Sequence, residues 1–96
     1  MNNEEIESKE LLLRRAAFGK QVEQFMNTDI GKYLMHRATE EVIEAFAEFK
    51  KCDAREGKAI EKVQNKIYRA ESFKSWLTDA VLDGVAAYNI LEDREE

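Results

Sequence analysis

Residues 60–91 read IEKVQNKIYRAESFKSWLTDAVLDGVAAYNIL, and this stretch decides the fold. Ile60, Val63, Ile67, Ala70, Phe73, Leu77, Val81, Val85, Tyr88 and Leu91 recur at steps of three and four residues. That is the spacing of a helix face, not of a strand. The chain contains no proline, so no ring blocks the backbone ladder anywhere along it. The pattern predicts a helix over residues 54–92, about 57 Å long at 1.5 Å per residue. Such a helix either bends near Ser72 or Gly84 or finds a second packing partner for its far half. The expectation is one long helix with the N-terminal helix covering its second half.

Moving toward the N-terminus, Asp53-Ala54-Arg55-Glu56 has the spacing of a capping box, which places the start of the long helix just after Asp53. Before it, Ile30, Leu34, Ala38, Val42, Ala45 and Phe49, flanked by Tyr33 and Phe46, predict a helix over 30–51 with a wide apolar face. A connection this short makes the two helices antiparallel neighbours. Asn27-Thr28-Asp29 is the next break, since short polar side chains compete for backbone donors and act as N-caps. Ahead of it lies a helix over 4–26. Leu11, Phe18, Val22 and Phe25 form one stripe there, with Leu12, Ala16, Gly19 and Met26 beside it. The fold class expected is all-α: an antiparallel helical hairpin with a long C-terminal helix and a packed N-terminal helix, one domain over 1–96.

Composition sets limits on function. Hydrophobic residues are 44% and charged residues 36% of the chain, the mixture of an amphipathic helical protein rather than a disordered one. No apolar run approaches the roughly 20 residues a bilayer requires, so no membrane partner is expected. The acidic opening MNNEEIESKE lacks the basic-then-apolar order of a secretory signal. One cysteine, Cys52, makes neither an internal disulfide nor a cysteine zinc site. A reduced, cytoplasmic setting is expected.

The acids of the second helix offer the candidate chemistry. Glu40, Glu41 and Glu44 spell the EExxE half of the magnesium site used by all-α nucleotide pyrophosphohydrolases of the MazG type. The other half, ExxD, has no counterpart, and Trp76 stands where it would place a ligand ahead of Asp79. Magnesium demands several converging oxygens, which one helix face rarely supplies. Glu40, Glu44 and Glu48 instead read as a solvated face. His36, the one histidine, lies four residues from both Lys32 and Glu40 and reads as a surface group. No catalytic residue, metal site or cofactor is expected.

Charge is unevenly distributed. From Lys50 to Lys74 eight bases face four acids, about +4, while the remaining seven bases and sixteen acids give −9, for a total of −5. Lys58, Lys62 and Lys66 stand at four-residue steps and form a basic ridge. The ridge suits phosphates or an acidic protein face, but the overall acidity opposes nucleic acid as a partner. The acidic ends would complement the ridge of another copy. Phe18, Phe25, Phe46, Phe49 and Phe73 read as core. Trp76 sits at the edge of its stripe and reads as an interface anchor. Gly19 and Gly84 each cost about 1 kcal/mol relative to alanine, a cost that a close approach of two helix backbones would offset.

Two segments carry a family resemblance. Gly31, Tyr33, Leu34, Arg37, Ala38 and Glu40, then Gln64, Asn65, Ile67, Arg69, Ala70, Glu71, Phe73, Trp76 and Leu77, are similar to a pattern in short, uncharacterised helical proteins of tailed bacteriophages and prophages. The resemblance implies a viral setting, in the host cytoplasm or the virion, and a non-catalytic role. Pairing the two helices about Asp53 puts Arg37 opposite Tyr68 and Arg69, and Glu41 opposite Gln64. A network of these groups would fix the hairpin's register or serve as an interaction surface. The function expected is a non-enzymatic interaction or assembly module, acting as a homo-oligomer and binding a phage or host protein. Its interaction residues are Arg37, Glu41, Gln64, Arg69, Trp76, Val81 and Tyr88. The alternatives are an acidic inhibitor of a host defence or nucleic-acid enzyme, and a degenerate MazG-like pyrophosphohydrolase.

Overall fold

A computed structural model describes residues 8–95, which form three helices in chain order and, among the described residues, no strand. Helix α1 spans Lys9–Met26, α2 spans Asp29–Lys51 and α3 spans Gly57–Glu95. The protein is all-α, a helical hairpin of α2 and α3 with α1 packed on the far half of α3. Helix α3 is unbroken over 39 residues and acts as the spine. Helices α1 and α2 each pack along it and meet one another far less, around their short link. The result is elongated, 59 × 36 × 16 Å, with a radius of gyration of 19.1 Å. A compact chain of this length would have about 12.5 Å.

Local chemistry sets each helix end. Ser8 caps α1, its hydroxyl accepting from the Leu11 N–H at 3.1 Å. Of the expected first helix, residues 4–7 lie outside the described residues. Thr28 closes α1 and opens α2 at once: its hydroxyl donates to the Phe25 carbonyl at 2.6 Å and accepts from the Gly31 N–H at 3.0 Å. A Cβ at Gly31 would collide with the Phe25 carbonyl, so a side chain there would push the two helix ends apart.

The start of α3 differs from the capping-box expectation. Asp53 accepts from the Arg55 N–H at 3.0 Å, and the Glu56 N–H bonds to the Asp53 carbonyl at 2.9 Å. The aspartate therefore holds a tight local turn, the competing use of a short acidic side chain. The helix begins later, at Gly57, and the link is longer by three residues than the sequence suggested.

The seam between the helices is made of small residues. Gly19 on α1, Gly31, Ala38 and Ala45 on α2, and Val63, Ala70, Gly84 and Ala87 on α3 are buried. Leu12 is the one large side chain fully buried among the described residues. At the crossing of α1 and α3, a Cβ built on Gly19 would stand 2.7 Å from the Gly84 Cα, so the two backbones touch. This is the close approach expected at Gly19 and Gly84. It also overturns the expected core. Once the backbones meet through small residues, bulkier rows no longer fit between them, and Phe18, Phe25, Phe46 and Phe49 are left exposed.

Candidate interaction surface

Two contacts define the sides of the hairpin. On one side Lys74 Nζ donates to Thr39 Oγ1 at 3.0 Å. On the other, Lys66 Nζ lies 3.2 Å from Glu48 Oε1 and 3.8 Å from Glu44 Oε2. Helical spacing sorts the remaining residues. Met35, Val42, Ile43 and Phe46 stand three, four or seven residues from Thr39 and share its side; Ile60, Ile67 and Val81 lie at sevens from Lys74 and share the same side. Arg37, Glu41, Lys62 and Arg69 fall on the Lys66 side, as does Trp76. The same spacing adds Lys32, His36 and Glu71 to the Lys74 side and Ile30 and Tyr33 to the Lys66 side, so the hairpin has a mainly apolar side and a mainly charged side.

The charged side brings together three of the residues expected to form a network. Arg37, Glu41 and Arg69 line one shallow hollow of about 320 Å³ with Leu34, Ala38, Ala70 and Phe73. Gln64 does not line it, and it is exposed. Because α3 starts at Gly57, the register slides along α3, so Glu41 meets the Arg69–Phe73 turn rather than Gln64. Arg37 also pairs with Glu40, at 3.3 Å.

The acids of α2 lie on a solvated face, as their spacing suggested, and they are also paired there. Glu44 and Glu48 hold Lys66 across the hairpin, and Glu40 Oε1 lies 2.8 Å from His36 Nε2. The basic ridge is split by the same contacts. Lys66 turns into the seam with only 21% of its side chain exposed, while Lys58 and Lys62 stay outside with Tyr68 and Arg69. Among the described residues, no three of the His, Cys, Asp and Glu side chains gather closely enough to hold a metal ion.

The far half of α3 carries the other expected interaction residues. Val81 and Tyr88 line an open groove of about 520 Å³ with Gly84 and Val85, facing Ala16, Gly19, Lys20 and Glu23 of α1. Tyr88 stands near Glu92, whose hydrogen bond and negative charge raise the phenol's pKa above its ordinary value. Trp76 is 70% exposed and is not part of this groove. Five residues along a helix turn a side chain well past a right angle, so Trp76 and Val81 serve different surfaces.

Sequence reasoning missed the ion pair that ties α1 to the spine. Arg15 donates from Nε and Nη2 to the two carboxylate oxygens of Asp83, at 3.0 and 2.7 Å. Those hydrogen bonds, with the guanidinium charge, hold the Asp83 carboxyl below its ordinary range against a smaller opposing effect of desolvation. The signal was present in Arg15 lying on the Leu12–Ala16–Gly19 face of α1, but its partner is 68 residues away.

No helix among the described residues is long and apolar enough to cross a membrane. No family model, curated protein or solved structure matches the chain.

Proposed function

We propose that this chain is a non-enzymatic helical interaction module that completes its hydrophobic core by associating with further copies of itself. One observation carries the reading. Among the described residues a single large side chain is fully buried, while Phe18, Ile43, Phe46, Trp76, Leu82 and Tyr88 are each more than half exposed. Over most of α3 only one other helix packs beside it, since α1 and α2 meet only around their link, and two helices enclose no interior. The chain exposes 7624 Å², against about 5,700 Å² for a compact protein of 11.2 kDa. That excess is larger than the roughly 800 Å² each partner buries in a standard interface.

The non-enzymatic part is supported by the engagement of the α2 acids with Lys66, Arg37 and His36. Resemblance to short helical phage proteins suggests the setting: an assembly or host-directed role in the host cytoplasm or the virion, with a phage or host protein as a further partner. Light scattering on the purified chain at micromolar concentration tests the reading. At least a dimer is expected, and a monomer at all concentrations overturns it.

A further inference from the structure

We infer that the second copy docks antiparallel, across a two-fold axis, on the apolar side of the α2–α3 hairpin, closing a four-helix bundle in which Phe46, Val42 and Ile67 become core. This rests on the self-association proposed above and names the surface and geometry that produce it.

The side follows from chemistry. On the Lys74 side, Phe46 is 52% exposed and Ile43 is exposed further still, while Val42, Ile60 and Ile67 are half-buried. The opposite side bears Arg37, Glu41, Glu44, Glu48 and Lys66, which would have to be stripped of water if that side were covered. Along α3, Ile60, Ile67, Lys74, Val81 and Tyr88 stand seven residues apart. A seven-residue row is what a neighbouring helix needs for its side chains to interlock over several turns. The small-residue seam below brings α2 and α3 close, so Phe46 and Ile67 belong to one surface rather than two.

The direction follows from charge. The link end of the hairpin carries Lys50, Lys51, Arg55 and Lys58 against Asp53 and Glu56, and the far end of α3 carries Glu92, Asp93 and Glu95 against Arg94, so the first stays net basic and the second net acidic. Antiparallel stacking sets each basic end near the other copy's acidic end, whereas parallel stacking sets like against like. Near the middle of the face, Lys74 and exposed Glu71 are three residues apart. A two-fold axis between them lets each lysine approach the other copy's glutamate and fixes the register.

Two measurements on the full chain test this. Phe46→Glu places a charge on the proposed face at a position already half exposed, and helicity by circular dichroism checks the fold. It should raise the dimer dissociation constant at least about 100-fold, as loss of a central anchor does. Trp76→Glu, on the charged side, should leave it within about threefold. Spin labels on Cys52 should lie about 45 Å apart in the dimer, from the rise per residue between the link and the axis; a distance under about 25 Å overturns the antiparallel arrangement. A dimer that survives Phe46→Glu and dissolves with Trp76→Glu moves self-association to the other side, overturning this inference and leaving the proposed function standing. A wild-type monomer overturns both. If Phe46→Glu loses its helicity, Ile43→Glu, on the same side and more exposed still, replaces it as the test of the side.

Discussion

Replacing Gly84 by alanine reverses the usual sign of a helix substitution. In an exposed helix interior, glycine to alanine stabilises by about 1 kcal/mol. Here the added Cβ would stand 2.8 Å from the Gly19 Cα, 3.2 Å from the Arg15 carbonyl oxygen and 3.3 Å from the Gly19 N. All three are backbone atoms, so no side chain can swing aside. Relief requires α1 to lift by about 1 Å to reach ordinary carbon separation. That displacement loosens Leu12 and stretches the Arg15–Asp83 pair. Overpacking of this kind costs about 1–3 kcal/mol, and backbone-on-backbone contact belongs at the upper end. After subtracting the propensity gain, the net loss is about 2 kcal/mol, or roughly 10 °C in Tm for a domain of this size. Thermal unfolding by circular dichroism at fixed protein concentration measures it, since self-association makes Tm depend on concentration. Gly19→Ala should behave alike, and the double variant should cost much less than the sum, because one lift accommodates both methyl groups. Gly57→Ala meets nothing within 4 Å and serves as the control. A Gly84→Ala protein more stable than wild type would show that the backbones do not touch at this crossing.

Three further outcomes are expected. Thr28→Ala removes the cap that joins α1 to α2 and should cost about 1 kcal/mol in urea unfolding, whereas Asp53→Ala, which loses only an exposed turn contact, should cost less; the reverse order would restore Asp53 as the cap of α3. Asp83 has its pKa lowered in the fold by Arg15, so the pair's contribution is complete above the unfolded value near 3.8 and disappears as pH falls through the lower folded value. The Tm gap between wild type and Asp83→Asn should accordingly be present at neutral pH and shrink toward zero in acid, and a gap that persists at low pH would discount the ion pair. Glu41→Gln with Glu44→Gln should leave helicity and self-association unchanged. Loss of a magnesium-dependent pyrophosphate release in that double variant would instead restore the pyrophosphohydrolase reading.

The sequence by itself determined the elements. Three- and four-residue spacing with no proline makes helices whatever surrounds them, and the breaks at Asn27–Thr28 and near Asp53 are local hydrogen-bond chemistry. The need for Gly19 and Gly84 to meet a neighbouring backbone was legible for the same reason, because an interior glycine carries a local cost that only a close neighbour offsets. Which face of each helix turns inward was not legible. Leu11, Phe18 and Phe25 on α1 are as well spaced as Leu12, Ala16 and Gly19, and spacing cannot rank two stripes on one helix. Backbone contact across the α1–α3 crossing chose the small stripe and left the aromatic one outside. The partners of Arg15 and Lys66 were equally hidden, since both pairs cross between helices. Their geometry depends on where α3 begins, and a turn held by Asp53 moved that start by three residues, sliding Gln64 away from Glu41. Local interactions are written in neighbouring residues, whereas a register is a global quantity that one turn can shift.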